Sequence, residues 1–221
     1  MDTLQRLGEV LCDDGKAEQA EVLLIECLST RRKALGGLHA STIEAIKALS
    51  LCYYAAKKYV LAGPLMIEWV RASRKTHGPD STESLQAMVR LGTLYTDLKN
   101  YSRAEPLFLE AKERLAKKYS PSHPETLKVL NLIAMMFWNQ KAYADAERVY
   151  LEIIAILDQT KREWDERHPS SPILVSRASH QDTLKYMNNL GLLYREQGKF
   201  ELVRFTICIM LCVSIFNCIN T

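Results

Sequence analysis

The amino-acid sequence predicts an all-α protein built as a solenoid of stacked helix pairs, and three observations predict it. A short string recurs at a fixed interval, the apolar residues inside each copy fall at helical spacing, and no stretch alternates in the manner of a strand. The interval is 42 residues: Leu7-Gly8, Leu49-Ser50, Leu91-Gly92 and Ile133-Ala134 follow one another at that distance (8 to 50, 50 to 92, 92 to 134). Leu190-Gly191 follows after 57, one period plus 15. Numbered by the first copy, position 11 carries Leu11, Tyr53, Tyr95, Phe137 and Tyr194. Position 20 carries Ala20, Ala62, Ala104 and Ala146, and position 24 carries Leu24, Met66, Phe108 and Tyr150.

Within one unit the apolar positions are 4, 7, 8 and 11, then 20, 24 and 27, on either side of a short polar break such as Asp14-Gly15-Lys16 or Gln197-Gly198-Lys199. Each unit is therefore a helix pair. Small residues at positions 8 and 20 let two helices approach closely, which favours a stack over isolated hairpins. The expected organisation is four full units near 1–38, 39–80, 81–122 and 123–160, a loop at 161–179, an incomplete fifth unit at 180–201, and an atypical apolar tail at 202–221.

The order Leu-Gly, aromatic, Ala, aromatic resembles the tetratricopeptide repeat (TPR), whose usual period is about 34. The longer period, the string Ala104-Glu105-Pro106-Leu107-Phe108, the connector His123-Pro124-Glu125-Thr126 and Asn188-Asn189-Leu190-Gly191-Leu192-Leu193-Tyr194 resemble the variant of kinesin light chains and nephrocystin-3-like proteins. The resemblance covers residues 1 to about 201. It implies a right-handed superhelical solenoid of helix-turn-helix units whose concave surface binds short peptide segments of cargo or assembly partners.

In chain order, the first helix begins almost at Met1, with no apolar leader after it, which argues for a cytoplasmic protein. The connectors at Gly36-Gly37, His77-Gly78-Pro79 and Ser120-Pro121-Ser122 each end one helix and start the next. His39, His123 and His180 share one repeat position there and read as helix-start residues, because no second metal ligand recurs beside them. Pro64 and Pro106 lie near the start of a second helix, where a missing N–H costs little. The 15 extra residues read as an exposed insertion in Lys161 to Ser179, with Ser171-Pro172 as a candidate phosphorylation site.

After Glu201 the pattern changes: Val203 replaces the small residue, and apolar residues occupy every side through Ile219. A membrane span needs about 17 to 25 apolar residues. Phe205 to Ile219 is a span of only 15 residues (205 to 219), interrupted by Thr206, Ser214 and Asn217. The expectation is that the chain leaves its repeat frame at a splice boundary and is a truncated product of a longer repeat protein. The alternatives are a surface helix or a membrane anchor for the tail, the latter making the chain a membrane-tethered adaptor, and a non-functional truncated isoform.

The net charge of +3 is too small to point to nucleic acid. The six cysteines show no Cys-x-x-Cys pair, so free thiols are expected and no metal site. No Gly-rich phosphate loop, no nucleophile elbow and no paired carboxylates outside repeat-surface positions appear, so no enzyme, cofactor or small-molecule substrate is expected.

Function then rests on surface. Beside the packing stripe, the first helices present Arg6 and Glu9, then Glu44 and Lys47, then Gln86 and Arg90. They continue with Lys128, Asn131 and Trp138, then Lys185, Asn188, Asn189 and Arg195. The peptide-groove candidates among them are Arg6, Lys47, Arg90, Lys128, Asn131, Lys185, Asn188, Asn189 and Arg195. Amides can bond a peptide backbone of any sequence, while Lys and Arg select acidic side chains, so an acidic protein or peptide partner is expected. Asparagine is a poor helix former, and Asn131, Asn188 and Asn189 stand mid-helix with no packing reason apparent in the sequence. Lys47-Ala48 replaces the asparagine pair in the second unit, where the groove is expected to be incomplete.

Overall fold

The computed structural model describes the backbone of residues 2–167 and 173–219. Among them are ten α-helices and no strand: α1 Asp2–Asp13, α2 Ala17–Leu35, α3 Ala40–Ala55, α4 Tyr59–His77, α5 Thr82–Asp97, α6 Tyr101–Lys118, α7 Pro124–Asn139, α8 Tyr143–Arg167, α9 Ile173–Glu196 and α10 Phe200–Ile219. They form two compact bodies, Met1–Arg114 and Leu115–Thr221. In each, odd-numbered helices are the first and even-numbered helices the second of a pair.

The polar breaks are three-residue turns with one recurrent geometry. Gly15, Lys57, Lys99, Lys141 and Gly198, all at repeat position 15, take φ between 56° and 77°. The N–H of the next residue then donates to the position-11 carbonyl, as in Lys58 N to Tyr53 O at 2.8 Å and Lys199 N to Tyr194 O at 3.0 Å. This left-handed cap satisfies a carbonyl that the end of the helix would leave orphaned. At the other turns, Gly36 and Gly78 end α2 and α4 with φ of 83° and 86°. His39 Nδ1 accepts the Ser41 N–H, and His123 Nδ1 accepts the Glu125 N–H, both at 3.2 Å. Those two histidines are helix caps, as expected from the sequence.

Close approach within a pair rests on positions 8 and 20. Ala20, Ala62, Ala104 and Ala146 are wholly buried. A Cβ added to Gly8 would lie 2.8 Å from Leu24 Cγ, and one added to Gly92 would lie 2.8 Å from the Phe108 ring.

Two junctions between successive pairs, the first to the second and the fourth to the fifth, are tied by the same polar group. Glu21 on α2 accepts from the Tyr53 hydroxyl at 3.0 Å and from Lys58 Nζ at 2.7 Å. Glu147 on α8 does the same with the Tyr194 hydroxyl at 2.8 Å and Lys199 Nζ at 3.5 Å. The sequence separations are 32 and 37 in the first case and 47 and 52 in the second, each larger by 15. The inserted length therefore leaves the register of α9 on α8 intact. Second helices are also linked to each other, by Arg32–Glu68 at 2.5 Å and Arg74–Glu110 at 2.8 Å, again one period apart (32 to 74, 68 to 110).

The structure differs from the sequence-based expectation at the insertion. Residues expected as a loop are helical on both sides: α8 runs to Arg167 and α9 begins at Ile173. No glycine stands where Gly36 and Gly78 stop the earlier second helices; that position holds Arg162, which instead pairs with Asp158 one turn back at 2.5 Å. His180 consequently sits inside α9 and not at a helix start, and Ser171-Pro172 lies outside the described residues.

A second difference concerns the tail. α10 packs along α9 as the second helix of the fifth pair, with Thr206 buried and its hydroxyl donating to the Leu202 carbonyl at 2.7 Å. The repeat frame thus continues past Glu201. Its packing is altered: Ile207 is 49% exposed although Leu24, Met66, Phe108 and Tyr150 at the same repeat position are buried. No helix among the described residues is long and apolar enough to cross a membrane.

Glycine at position 8 gives a paired test. Gly92→Ala should cost about 1 to 3 kcal/mol, because Phe108 is buried and cannot yield. At Gly191 a Cβ would meet Thr206 Cγ2 at an ordinary 3.8 Å, so Gly191→Ala should be neutral or stabilise by up to about 1 kcal/mol through helix propensity. Urea denaturation of the two variants should separate them in opposite directions.

The junction titrates. The Lys58 ammonium, helped by the Tyr53 hydroxyl, holds the Glu21 carboxyl below its usual range. A depressed folded-state pKa adds stability above the unfolded value that is lost as pH falls through the folded one. Glu21→Gln should therefore cost up to about 1 kcal/mol at neutral pH and almost nothing once the carboxyl is protonated, measured as denaturation midpoints across acidic pH.

Candidate peptide-binding surface

In the first body, Arg6 and Glu9 on α1, Glu44 and Lys47 on α3, and Gln86 and Arg90 on α5 are all exposed. Lys47 Nζ lies 5.9 Å from the centre of the Trp69 ring, a cation–π contact that steadies the ammonium. Ala48 beside it is buried, so the second unit offers one polar group where paired asparagines would offer two.

Sequence reasoning missed Arg31. This residue on α2 is only 4% exposed, yet it stands at the repeat position that holds Ser73, Leu115 and Leu157 elsewhere. Its guanidinium donates to the Gln5 side chain and, at 2.6 Å, to the Ser41 carbonyl, and Gln5 in turn donates to Glu9 at 2.7 Å. A polar cavity of about 410 Å³ opens beside it, bordered by Arg6, Glu9, Glu44 and Lys47. The available signal was a charged residue at a repeat position that is otherwise uncharged, with Ser73, Leu115 and Leu157.

In the second body, the faces of α7 and α9 are joined by two side-chain bonds. Asn189 Nδ2 donates to Asn131 Oδ1 at 3.1 Å, and Trp138 Nε1 donates to the Glu196 carboxylate. The latter repeats an arrangement in the first body, where the Tyr54 hydroxyl donates to Asp97 at 2.5 Å. Asn189 also faces Tyr150, whose phenol burial pushes up to about 12 while the Asn189 amide acts against the shift. Asn131 and Asn189 thus do have a packing reason to be mid-helix: each is half-buried and engaged with a neighbouring helix.

Around this pair stand exposed groups. Lys128 on α7 lies 3.8 Å from Glu125, one turn back and largely in solvent. Lys185 on α9 rests 5.5 Å from the Tyr186 ring centre, and Asn188 and Arg195 are exposed. The surface offers fixed amides edged by cations. No group of three or more metal-ligating side chains occurs among the described residues.

The tetratricopeptide repeat profile matches residues 1–66 and 83–159, and a second profile of the same description matches 183–201. The chain belongs to the tetratricopeptide repeat family. Among solved structures, this TPR chain is similar to nearly identical TPR-like repeats from a Podosopora anserina protein assigned as a kinesin light chain. That likeness has TM-score 0.78 and 17% identity, and covers 96% of this chain and 94% of that one. It is also similar to BtubC (BKLC) from P. vanneervenii, with TM-score 0.72, 16% identity and coverage of 97% and 79%. The apo form of RapI follows with TM-score 0.61, 14% identity and coverage of 96% and 82%. At these identities the likeness is one of fold. No curated protein matches the sequence.

The two roles of asparagine can be separated by stability. A double-mutant cycle of Asn131→Ala and Asn189→Ala should give a coupling of about 0.5 to 1.5 kcal/mol. Asn188→Ala, which removes no internal bond, should leave the denaturation midpoint unchanged.

Proposed function

We propose that this TPR protein is a cytoplasmic protein-interaction scaffold that binds an extended acidic segment of a partner on its first-helix surface, in the manner of a cargo or assembly adaptor. The observation that carries the reading is the α7–α9 surface, where Lys128, Lys185 and Arg195 edge the bonded Asn131–Asn189 pair and exposed Asn188. Lys185 and Arg195 make no ion pair among the described residues, so a partner carboxylate would meet cations not already neutralised. The Asn131–Asn189 bond fixes amide orientation before binding, which lowers the entropic cost of holding a peptide backbone. Membership of the TPR family supports the broader part of the reading, since stacked helix pairs create extended binding surfaces and bring no catalytic apparatus of their own. Arg6, Lys47 and Arg90 form the corresponding basic edge in the first body and belong to the same proposal.

The experiment is titration of acidic and neutral extended peptides by fluorescence anisotropy. Lys128→Glu/Lys185→Glu should weaken acidic peptides at least tenfold, about 1.4 kcal/mol, and parent affinity should fall as salt rises. Asn188→Ala should weaken acidic and neutral peptides alike. Equal affinities for the parent and the double variant would remove the reading.

A further inference from the structure

The opposite side of the first body carries a second surface of different chemistry. Two open cavities of about 360 and 490 Å³ lie along its second helices, and they share part of their lining one period apart. Ile25, Leu28 and Arg32 border the first over buried Leu49; Ile67, Val70 and Arg74, each 42 residues on, border the second over buried Leu91 (25 to 67, 28 to 70, 32 to 74, 49 to 91).

The aliphatic residue at repeat position 25 is exposed in every full unit: Ile25 at 44%, Ile67 at 40%, Leu109 at 48% and Leu151 at 47%. Other outward positions of the same helices change character freely, with Ser29, Arg71, Glu113 and Ala155 at position 29. An isolated exposed aliphatic residue needs no explanation, but a register of them over recurrent furrows does, because contiguous apolar surface rimmed by charge marks interaction sites. In the first body, exposed Val22, Val60 and Leu61 extend the patch between α2 and α4.

Charge selects the partner. The bridges Arg32–Glu68 and Arg74–Glu110 are internally neutral ribs. The lining of the second cavity nevertheless includes Arg71, Arg74 and Lys75 and no carboxylate. Arg71 and Lys75 make no ion pair among the described residues. No amide lines either furrow, so nothing there could hold the backbone of an extended strand; a helix, whose backbone bonds are satisfied internally, needs only side-chain pockets. Neighbouring helices are about 8–10 Å apart, and two side chains seven residues apart on a helix are separated by about 10.5 Å. We propose that the face formed by α2 and α4 is a docking site for an acidic amphipathic helix of a partner protein, which seats two aliphatic side chains in the paired furrows and sets its carboxylates against Arg71 and Lys75.

The probe is a fluorescent, side-chain-stapled helix of about 16 residues with two leucines seven apart and flanking glutamates, compared with a version carrying lysines in place of the glutamates. The full chain should bind the acidic probe at least tenfold more tightly than the basic one. Ile67→Ser, Ile25→Ser and Arg71→Glu/Lys75→Glu should each weaken it at least tenfold, with circular dichroism melts unchanged because all four side chains are exposed. Lys128→Glu/Lys185→Glu should leave it unchanged, which keeps this site distinct from the first-helix surface. The proposal is overturned if the acidic probe does not bind, if the two probes bind equally, or if loss of binding follows the Lys128→Glu/Lys185→Glu variant. It is also overturned if the outer-face substitutions abolish binding to phosphatidylserine vesicles while probe affinity is unaffected.

Discussion

Contact between the two helices of a pair, where a residue without a side chain meets a large one, is the constraint on which the rest depends. Gly8 lies against Leu24, and Gly92 lies against Phe108, each at a distance that leaves no room for a methyl group. The wholly buried alanines at position 20 impose a similar closeness from the second helix. Close-packed interiors do not deform continuously, so these contacts fix how near the helices come together in the first and third pairs. That separation in turn places the position-11 phenols within reach of Glu21 and Glu147. The polar junctions are consequences of the apolar contact.

The helix pairs, their turns and the histidine caps were legible because each rests on local chemistry repeated at a constant interval. A cap at His39 or a left-handed turn at Lys57 involves residues within one short stretch. The limits of α8 and α9 were less legible. Proline and serine near 169–172 suggested a loop over the whole of 161–179, whereas the absence of a stop glycine let α8 continue to Arg167. The tail was misread for a related reason. Its uniform apolarity hid the fact that a helix needs only one adequate face to pack, and Thr206 supplies part of that face on α9.

The surface residues divide along a similar line. Exposure of Lys128, Lys185, Asn188 and Arg195 followed from their places beside the packing stripe. The bond between Asn131 and Asn189 joins residues 58 apart, and no single unit contains the information for it. Arg31 was hidden by a related limitation, since it bonds Gln5 on the facing helix of its own pair and the Ser41 carbonyl on the first helix of the next. Long-range polar contacts of this kind depend on the three-dimensional stack, while the apolar stripe that builds the stack can be read along the chain.

The junction made by Glu147, Tyr194 and Lys199 accepts 15 additional residues upstream and still forms. It therefore acts as a checkpoint that tests the identity of the arriving side chains and ignores the length of chain that delivered them. A protein assembled in this way has an internal address at which cargo sequence can be carried: a segment placed between α8 and α9 can grow, shrink or acquire a modification motif while the flanking helices keep their alignment. Variation in that segment and variation in the helices are then free to proceed on separate schedules, one governed by what the segment meets and the other by what the helices must hold.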